Sequence, residues 1–101
     1  MCWHEDVDEA VRIAHRLWRH EGVTGQGSQD LPTTHSAQIA GVVTEDMVAG
    51  RLACGPDPER HIAAIQAYAD AGYDEVHIAQ IGPDQAGMIR FYEREILPHF
   101  R

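Results

Sequence analysis

Lysine is absent: all eight basic residues are arginine, set against sixteen aspartates and glutamates, and the formal charge is -8. A surface of that sign repels phosphate backbones and anionic lipid heads, so neither nucleic acid nor a membrane surface is expected as a partner. It still leaves room for a local arginine site for a phosphate. Cysteine is nearly as scarce. Cys2 and Cys54 form no CxxC and sit in no zinc-like cluster, which removes a disulfide framework and fits a reduced, cytoplasmic chain. No apolar run approaches the ~18 residues of a membrane span. The opening "MCWHEDVDEA" is acidic where a signal peptide is basic and then apolar. The seven histidines fall in no HExxH or comparable ligand set, so no metal is expected. With 101 residues the chain is one small domain that buries about 60–65% of its unfolded surface.

What the chain does have is a repeat. "CGPDPERH" begins at Cys54 and "QIGPDQAG" at Gln80, and their glycines lie 82 − 55 = 27 residues apart. Each follows an apolar run and precedes a helical pattern. In both, glycine ends a strand, proline stiffens the turn and aspartate caps the amides of the next helix. The spacing predicts one strand, one helix and two short loops per copy.

The rest follows the same grammar. Val7, Ala10, Val11, Ile13, Ala14, Leu17 and Trp18 predict a helix with one broad buried face, on which Trp18 packs. Asp6 caps it, Glu9 completes a capping box, and it fades near Gly22. Residues 22–36, rich in Gly, Ser, Thr and Pro, read as a flexible loop; Gly22, Gly25 and Gly27 form no Walker pattern. "SAQIAGVV" is a short helix, and "TEDMVAG" is another, started by Thr44 and stopped by Gly50. "RLACG" is a strand. A helix then begins at Pro58, with Ile62, Ile65, Tyr68 and Ala69 buried and Gly72 as its left-handed stop. "DEVHIAQIG" is the clearest strand, with Val76 and Ile78 on one face. A last helix carries Met88, Ile89, Phe91, Tyr92, Ile96 and Leu97 inward and ends at Pro98. "MCW" is the end of a further strand. Successive βα units predict a parallel sheet. Two or three such strands leave an open edge and half a core.

The segments "VTEDMV" (Val43 to Val48), "CGPDPERH", "AGYD" (Ala71 to Asp74), "QIGPDQ" and "RFYERE" (Arg90 to Glu95) together resemble the C-terminal end of the luciferase-like (LLM class) oxidoreductases. More narrowly they are similar to the branch that uses coenzyme F420, a deazaflavin, and includes the glucose-6-phosphate dehydrogenases. The resemblance implies an α/β fold: residues 1–101 as a single partial domain, about strands 6–8 of a (β/α)8 TIM barrel. It implies hydride transfer between the deazaflavin (alternatively FMN) and a small organic substrate, anionic or merely polar. That branch places a lysine in the loop occupied here by "GQGSQD", and it often has a histidine where Ala79 stands.

Within that frame Arg51 is the substrate-binding candidate, by its match to an arginine that holds a substrate phosphate in the sugar-phosphate branch. Its fork of paired donors suits that role; the plain alternative is a surface arginine pairing with Glu45 or Asp46. Trp3, Gln80 and Asp84 are candidates for the pocket mouth, with Asp84 also a helix cap. Cys54 has no base nearby in sequence and is expected to be inert. No catalytic residue is assigned, because the resemblance places the acid/base groups and most cofactor contacts on earlier strands. The chain is therefore expected to need a missing N-terminal part or to form homo-oligomers. The alternative is a free-standing, non-catalytic α/β module that self-associates, and whether this chain alone is an enzyme stays open.

Overall fold

A computed structural model describes residues 1–23 and 38–101. The loop read over 22–36 falls outside these residues from position 24 onward. Three short extended segments form the centre. The amide of Cys2 donates to Ala53 O at 2.8 Å, and that of Gly55 donates to Cys2 O at 2.9 Å, which pairs Cys2 with Cys54 in parallel. On the other side the Met1 amine donates to Ala79 O at 3.2 Å and the Ile81 amide to Met1 O at 3.1 Å. That is the same parallel pattern, centred on Met1 and Gln80. The order across the centre is therefore 53–55, then 1–3, then 79–81. The first segment in sequence lies in the middle, as in the opening of a doubly wound sheet.

Among the described residues the helices α1 (Val7–Trp18), α2 (Glu45–Arg51), α3 (Pro58–Asp70) and α4 (Gln85–Phe91) flank this centre. Because side chains alternate along an extended segment, the two faces collect different residues. Cys2 and Cys54 join Ala10, Ile13, Ala14 and Val48 in a core under α1 and α2. Met1, Trp3 and Ile78 pack with Ile62, Ile65, Met88, Phe91 and Ile96 under α3 and α4. Both faces are covered, as parallel pairing requires.

α1 spans the residues its periodicity predicts. Asp6 Oδ1 accepts from the amides of Asp8 and Glu9 at 2.8 and 3.2 Å. The capping box does not close: the Glu9 carboxylate pairs with Arg12 at 2.9 Å, and the Asp6 amide donates to His4 Nδ1 at 3.0 Å. Trp18 is 41% exposed and stacks obliquely on His20, so it is not the packed residue the sequence implied. The helix gives way to a 3-10 turn at Arg19–Gly22, fading where the sequence implied.

In α2, Gly50 is helical and does not end the helix. No heavy atom lies within 4 Å of where its Cβ would stand, so its only cost is propensity, ~1 kcal/mol, and the chain leaves the helix at Leu52. That removes Arg51 from the expected strand. Thr44 Oγ1 caps the start by accepting from the Met47 amide at 3.2 Å.

In α3 the buried stripe is rotated from the expected one. His61 is fully buried, while Tyr68 is 53% exposed. After α4 the helical run continues as a π turn, Tyr92–Ile96, and then a 3-10 turn, Leu97–Phe100, which contains Pro98. The π turn brings Phe91, Tyr92 and Ile96 inward together and leaves Ile89 and Leu97 exposed. Gly72, at φ +93°, is the left-handed stop after α3. The expected strand over 74–82 pairs only at its end. Val76 and Ile78 are half-buried and His77 exposed, as alternation predicts, but Asp74–Ile78 make no backbone hydrogen bond with any described residue.

Candidate functional site at the carboxyl ends of the paired segments

Parallel α/β arrangements place ligands outside the carboxyl ends of their strands, at the point where the strand order reverses. Here that point lies between Trp3 and Gln80–Asp84. Three of the sequence candidates meet there. The Gln80 side-chain amide takes the place of a strand edge: its Oε1 accepts from the Trp3 amide at 2.9 Å, and its Nε2 donates to Trp3 O at 3.0 Å. Asp84 Oδ1 accepts from the Gly87 amide at 2.8 Å, capping α4. Trp3 lies over Gly87 and against Phe91, with ring centroids 5.9 Å apart. Its indole Nε1 is buried without an acceptor among the described residues.

This cluster is already internally satisfied. Both polar ends of Gln80 are committed to backbone, and the Asp84 oxygen that faces α4 is committed to a cap. Among the described residues the one buried side-chain polar atom without a partner is the Trp3 indole N–H, and the second Asp84 oxygen is exposed. A deazaflavin needs donors and acceptors for its ring edge and a cationic or amide-rich place for its phosphate tail, and these residues do not supply that cradle. They do not fit the cofactor by themselves.

Arg51 stands elsewhere. It ends α2 at the amino end of its segment and lines an open hollow of about 440 Å³ together with Met1, Tyr68, Val76 and Ile78. The structure therefore brings Trp3, Gln80 and Asp84 together and leaves Arg51 apart from them. Among the described residues Arg51 forms no ion pair, so the expected pairing with Glu45 or Asp46 is not made.

The most constrained polar residue is one the sequence reading passed over. His61 Nε2 donates to Gly55 O at 2.9 Å, and its Nδ1 accepts from the Tyr92 hydroxyl at 2.9 Å. A carbonyl can only accept, so the ring is the neutral Nε2–H tautomer. Burial holds its pKa below the usual histidine value, and burial raises that of Tyr92. His61 thus ties the first Gly-Pro-Asp turn to the last helix. The available signal was its position four residues before Ile65, on the inner face of α3. It lies too deep to meet a substrate. Cys54 is equally enclosed, and burial pushes its thiol up to about 11, so it is a poor nucleophile near neutrality. No nucleophile and base stand paired among the described residues.

No family model matches the chain. It is similar to an F420-dependent glucose-6-phosphate dehydrogenase of Microbacterium testaceum (strain StLB037), 28% identical over 102 residues that cover 100% of this chain. The chain spans about 30% of the length of that curated relative.

Proposed function

We propose that this chain is a segment of an F420-dependent oxidoreductase of the luciferase-like kind. It would contribute part of a (β/α)8 barrel and take part in hydride transfer between the deazaflavin and a small organic substrate. The observation that carries the reading is the alignment of the whole chain with one F420-dependent relative. The order of the three central segments differs from the sequential order of a closed barrel, so the barrel is proposed for a longer polypeptide. The internally satisfied Trp3–Gln80–Asp84 cluster supports the same division of labour, since these residues brace the strand ends and leave the cofactor to other parts. When bound, F420 supplies the hydride chemistry. Gln80 holds the Trp3 backbone and Asp84 fixes the start of α4, which braces the segment ends.

The substrate is proposed to be anionic or polar, with Arg51 as its proposed cation by the match to a phosphate-holding arginine alone, since Arg51 stands at the amino end of its segment, apart from Trp3, Gln80 and Asp84. Glucose 6-phosphate itself fits poorly, because the chain has no lysine for the loop position that the sugar-phosphate branch uses.

The test replaces the matching segment of the Microbacterium enzyme with this chain and measures F420 binding by fluorescence quenching. Binding with a Kd within about tenfold of the parent is expected. A folded chimera that does not bind F420 would sink the reading. Within a binding chimera, Arg51→Ala should raise KM for an anionic substrate, and an unchanged KM removes Arg51 from the site.

A further inference from the structure

Among the described residues, His61 alone has both ring nitrogens hydrogen-bonded, and it is fully buried. Its Nε2–H ends on Gly55 O and its Nδ1 faces the Tyr92 hydroxyl, each at 2.9 Å. The rings of Phe91 and Tyr92 close around it, with centroids 5.2 and 5.5 Å away. Among the described residues no other hydrogen-bonded chain joins the turn 55–57 to the helical run 85–100. The gap between Nδ1 and the phenol oxygen holds one proton, which the phenol supplies. A proton added to the ring puts two there. The phenol must then turn its own proton away, and it has no second partner among the described residues. It lies in a core with Met88, Phe91 and Ile96, where an unpaired polar hydrogen is costly. Burial weighs most against a charge on this ring, and the Met1 amine and Arg60 of α3 add to that; the Gly55 carbonyl and Asp57 of the turn favour the charge.

From this geometry we infer that His61 and Tyr92 form an acid-released clasp: when the ring takes up a second proton, the turn 55–57 parts from the π turn at Tyr92 while α1 and α2 keep their packing. The opening is local because the opposite face has a core of its own, built from Cys2, Ala10, Ile13, Ala14, Val48 and Cys54, with no histidine in it. His15, beside that core, donates its Nε2–H to Val43 O at 2.7 Å whether the ring is charged or neutral. The Gly55 amide likewise stays on Cys2 O. Gly55 ends its segment on the side where α/β arrangements hold ligands, so acid loosens that rim. The sign follows from linkage. The ring is held neutral when clasped and takes up a proton near its ordinary ~6.5 when released, so falling pH favours release, by about thirtyfold at pH 5. Overall stability falls by the same linkage, and the clasp adds a smaller opening that precedes unfolding. The inference rests on the two hydrogen bonds of His61 and holds whether or not the protein is an oxidoreductase.

The test follows hydrogen exchange at single amides of the full chain by nuclear magnetic resonance, at pH 7.5 and pH 5 and at several low urea concentrations. Rates are corrected for the intrinsic effect of pH. At pH 5 the amides of Ile62, Ile65 and Ile96 should exchange at least tenfold faster than at pH 7.5, with no dependence on low urea, as a local opening requires. Those of Ile13 and Ala14 should stay slower and speed up with urea. No acid rise at Ile62, Ile65 and Ile96 overturns the inference. So does a rise with the same rate and urea dependence as at Ile13 and Ala14, since the opening is then global. His61→Gln keeps one donor and one acceptor and takes up no proton, so its corrected rates at the three isoleucines should agree within about twofold between the two pH values. A full acid rise in that variant also overturns the clasp. Where His61→Gln does not fold, the urea dependence of the wild-type chain decides alone.

Discussion

The two Gly-Pro-Asp turns have the same three residues and different physics. In the first, Gly55 adopts φ +93° and packs against Val7, Asp57 accepts from the Glu59 amide at 3.1 Å, and buried His61 donates to the glycine carbonyl. In the second, Gly82 does not take a positive φ, Asp84 reaches one residue further to the Gly87 amide, and the Gln85 side chain donates to Gly82 O at 3.2 Å. The repeat thus conserves a task, which is to end an extended segment, cap a helix and satisfy the glycine carbonyl. It does not conserve a conformation. The residue in step with His61 (61 + 27 = 88) is Met88, also buried. One copy locks its helix with a polar clasp and the other with an apolar contact.

The largest way to break this contrast is at those two residues. His61→Ala should cost ~3 kcal/mol, because it leaves Gly55 O and the Tyr92 hydroxyl buried without partners and opens a cavity. Met88→Ala should cost ~2–4 kcal/mol through the cavity alone. Tyr92→Phe separates the cases: it should cost ~1–3 kcal/mol with wild-type His61 and much less beside His61→Leu, read from urea midpoints as a double-mutant cycle.

Next is Gly87→Ala. A Cβ there would run into the Trp3 ring and the Asp84 carboxylate, and ~1–3 kcal/mol should be lost. The matching residue of the first turn is exposed Arg60 (87 − 27 = 60), where alanine removes only a solvent-exposed hydrogen bond to Ala49 O and should cost under ~1 kcal/mol.

The glycines themselves sharpen the comparison further. Gly55→Ala should cost ~1–3 kcal/mol from positive-φ strain and contact with Val7. Gly82→Ala should cost well under ~1 kcal/mol, because its Cβ would meet nothing nearer than Gln80 Nε2 at 3.4 Å. Equal losses at both sites would mean that the two turns share a conformation after all. Asp57→Ala and Asp84→Ala should each cost ~1 kcal/mol, seen in thermal melts.

The smallest effect is on pH. His61 stays neutral in the folded chain while the unfolded chain takes up a proton near its ordinary pKa of ~6.5. Stability should therefore fall as pH drops below ~6.5, and His61→Leu should flatten that slope. At the alkaline end the sign reverses. The Cys54 thiol, held at about 11, ionises later in the folded chain than in the unfolded one, so stability is lost as pH rises above the ordinary thiol range. Cys54→Ala should remove part of that loss.

Elements set by local rules were legible. The bounds of α1, the caps at Asp6, Thr44, Asp57 and Asp84, the stop at Gly72 and the extended run through Val76 and Ile78 follow from periodicity and capping chemistry. The coming together of Trp3, Gln80 and Asp84 followed from placing them at strand ends. What the reading missed depended on partners far away in sequence. His61 faces inward because Gly55 O and the Tyr92 hydroxyl wait there, while Tyr68 and Trp18 look inward by period and face outward for want of a surface to cover them. Arg51 was drawn into a strand because a glycine one residue earlier looked like a stop.

The sequence by itself determined where helices begin and that Gly72 stops α3, because a cap or a left-handed glycine acts within a few residues and needs no third party. It also determined that two loops would do the same work. Only the tertiary structure decided that Met1–Trp3 lies between 53–55 and 79–81 and that one glycine turn is clasped by a histidine. Those outcomes depend on which backbone groups find each other across some 50 to 80 residues of chain. Hydrogen-bond pairing at that range follows from the packing of the two cores rather than from any local preference.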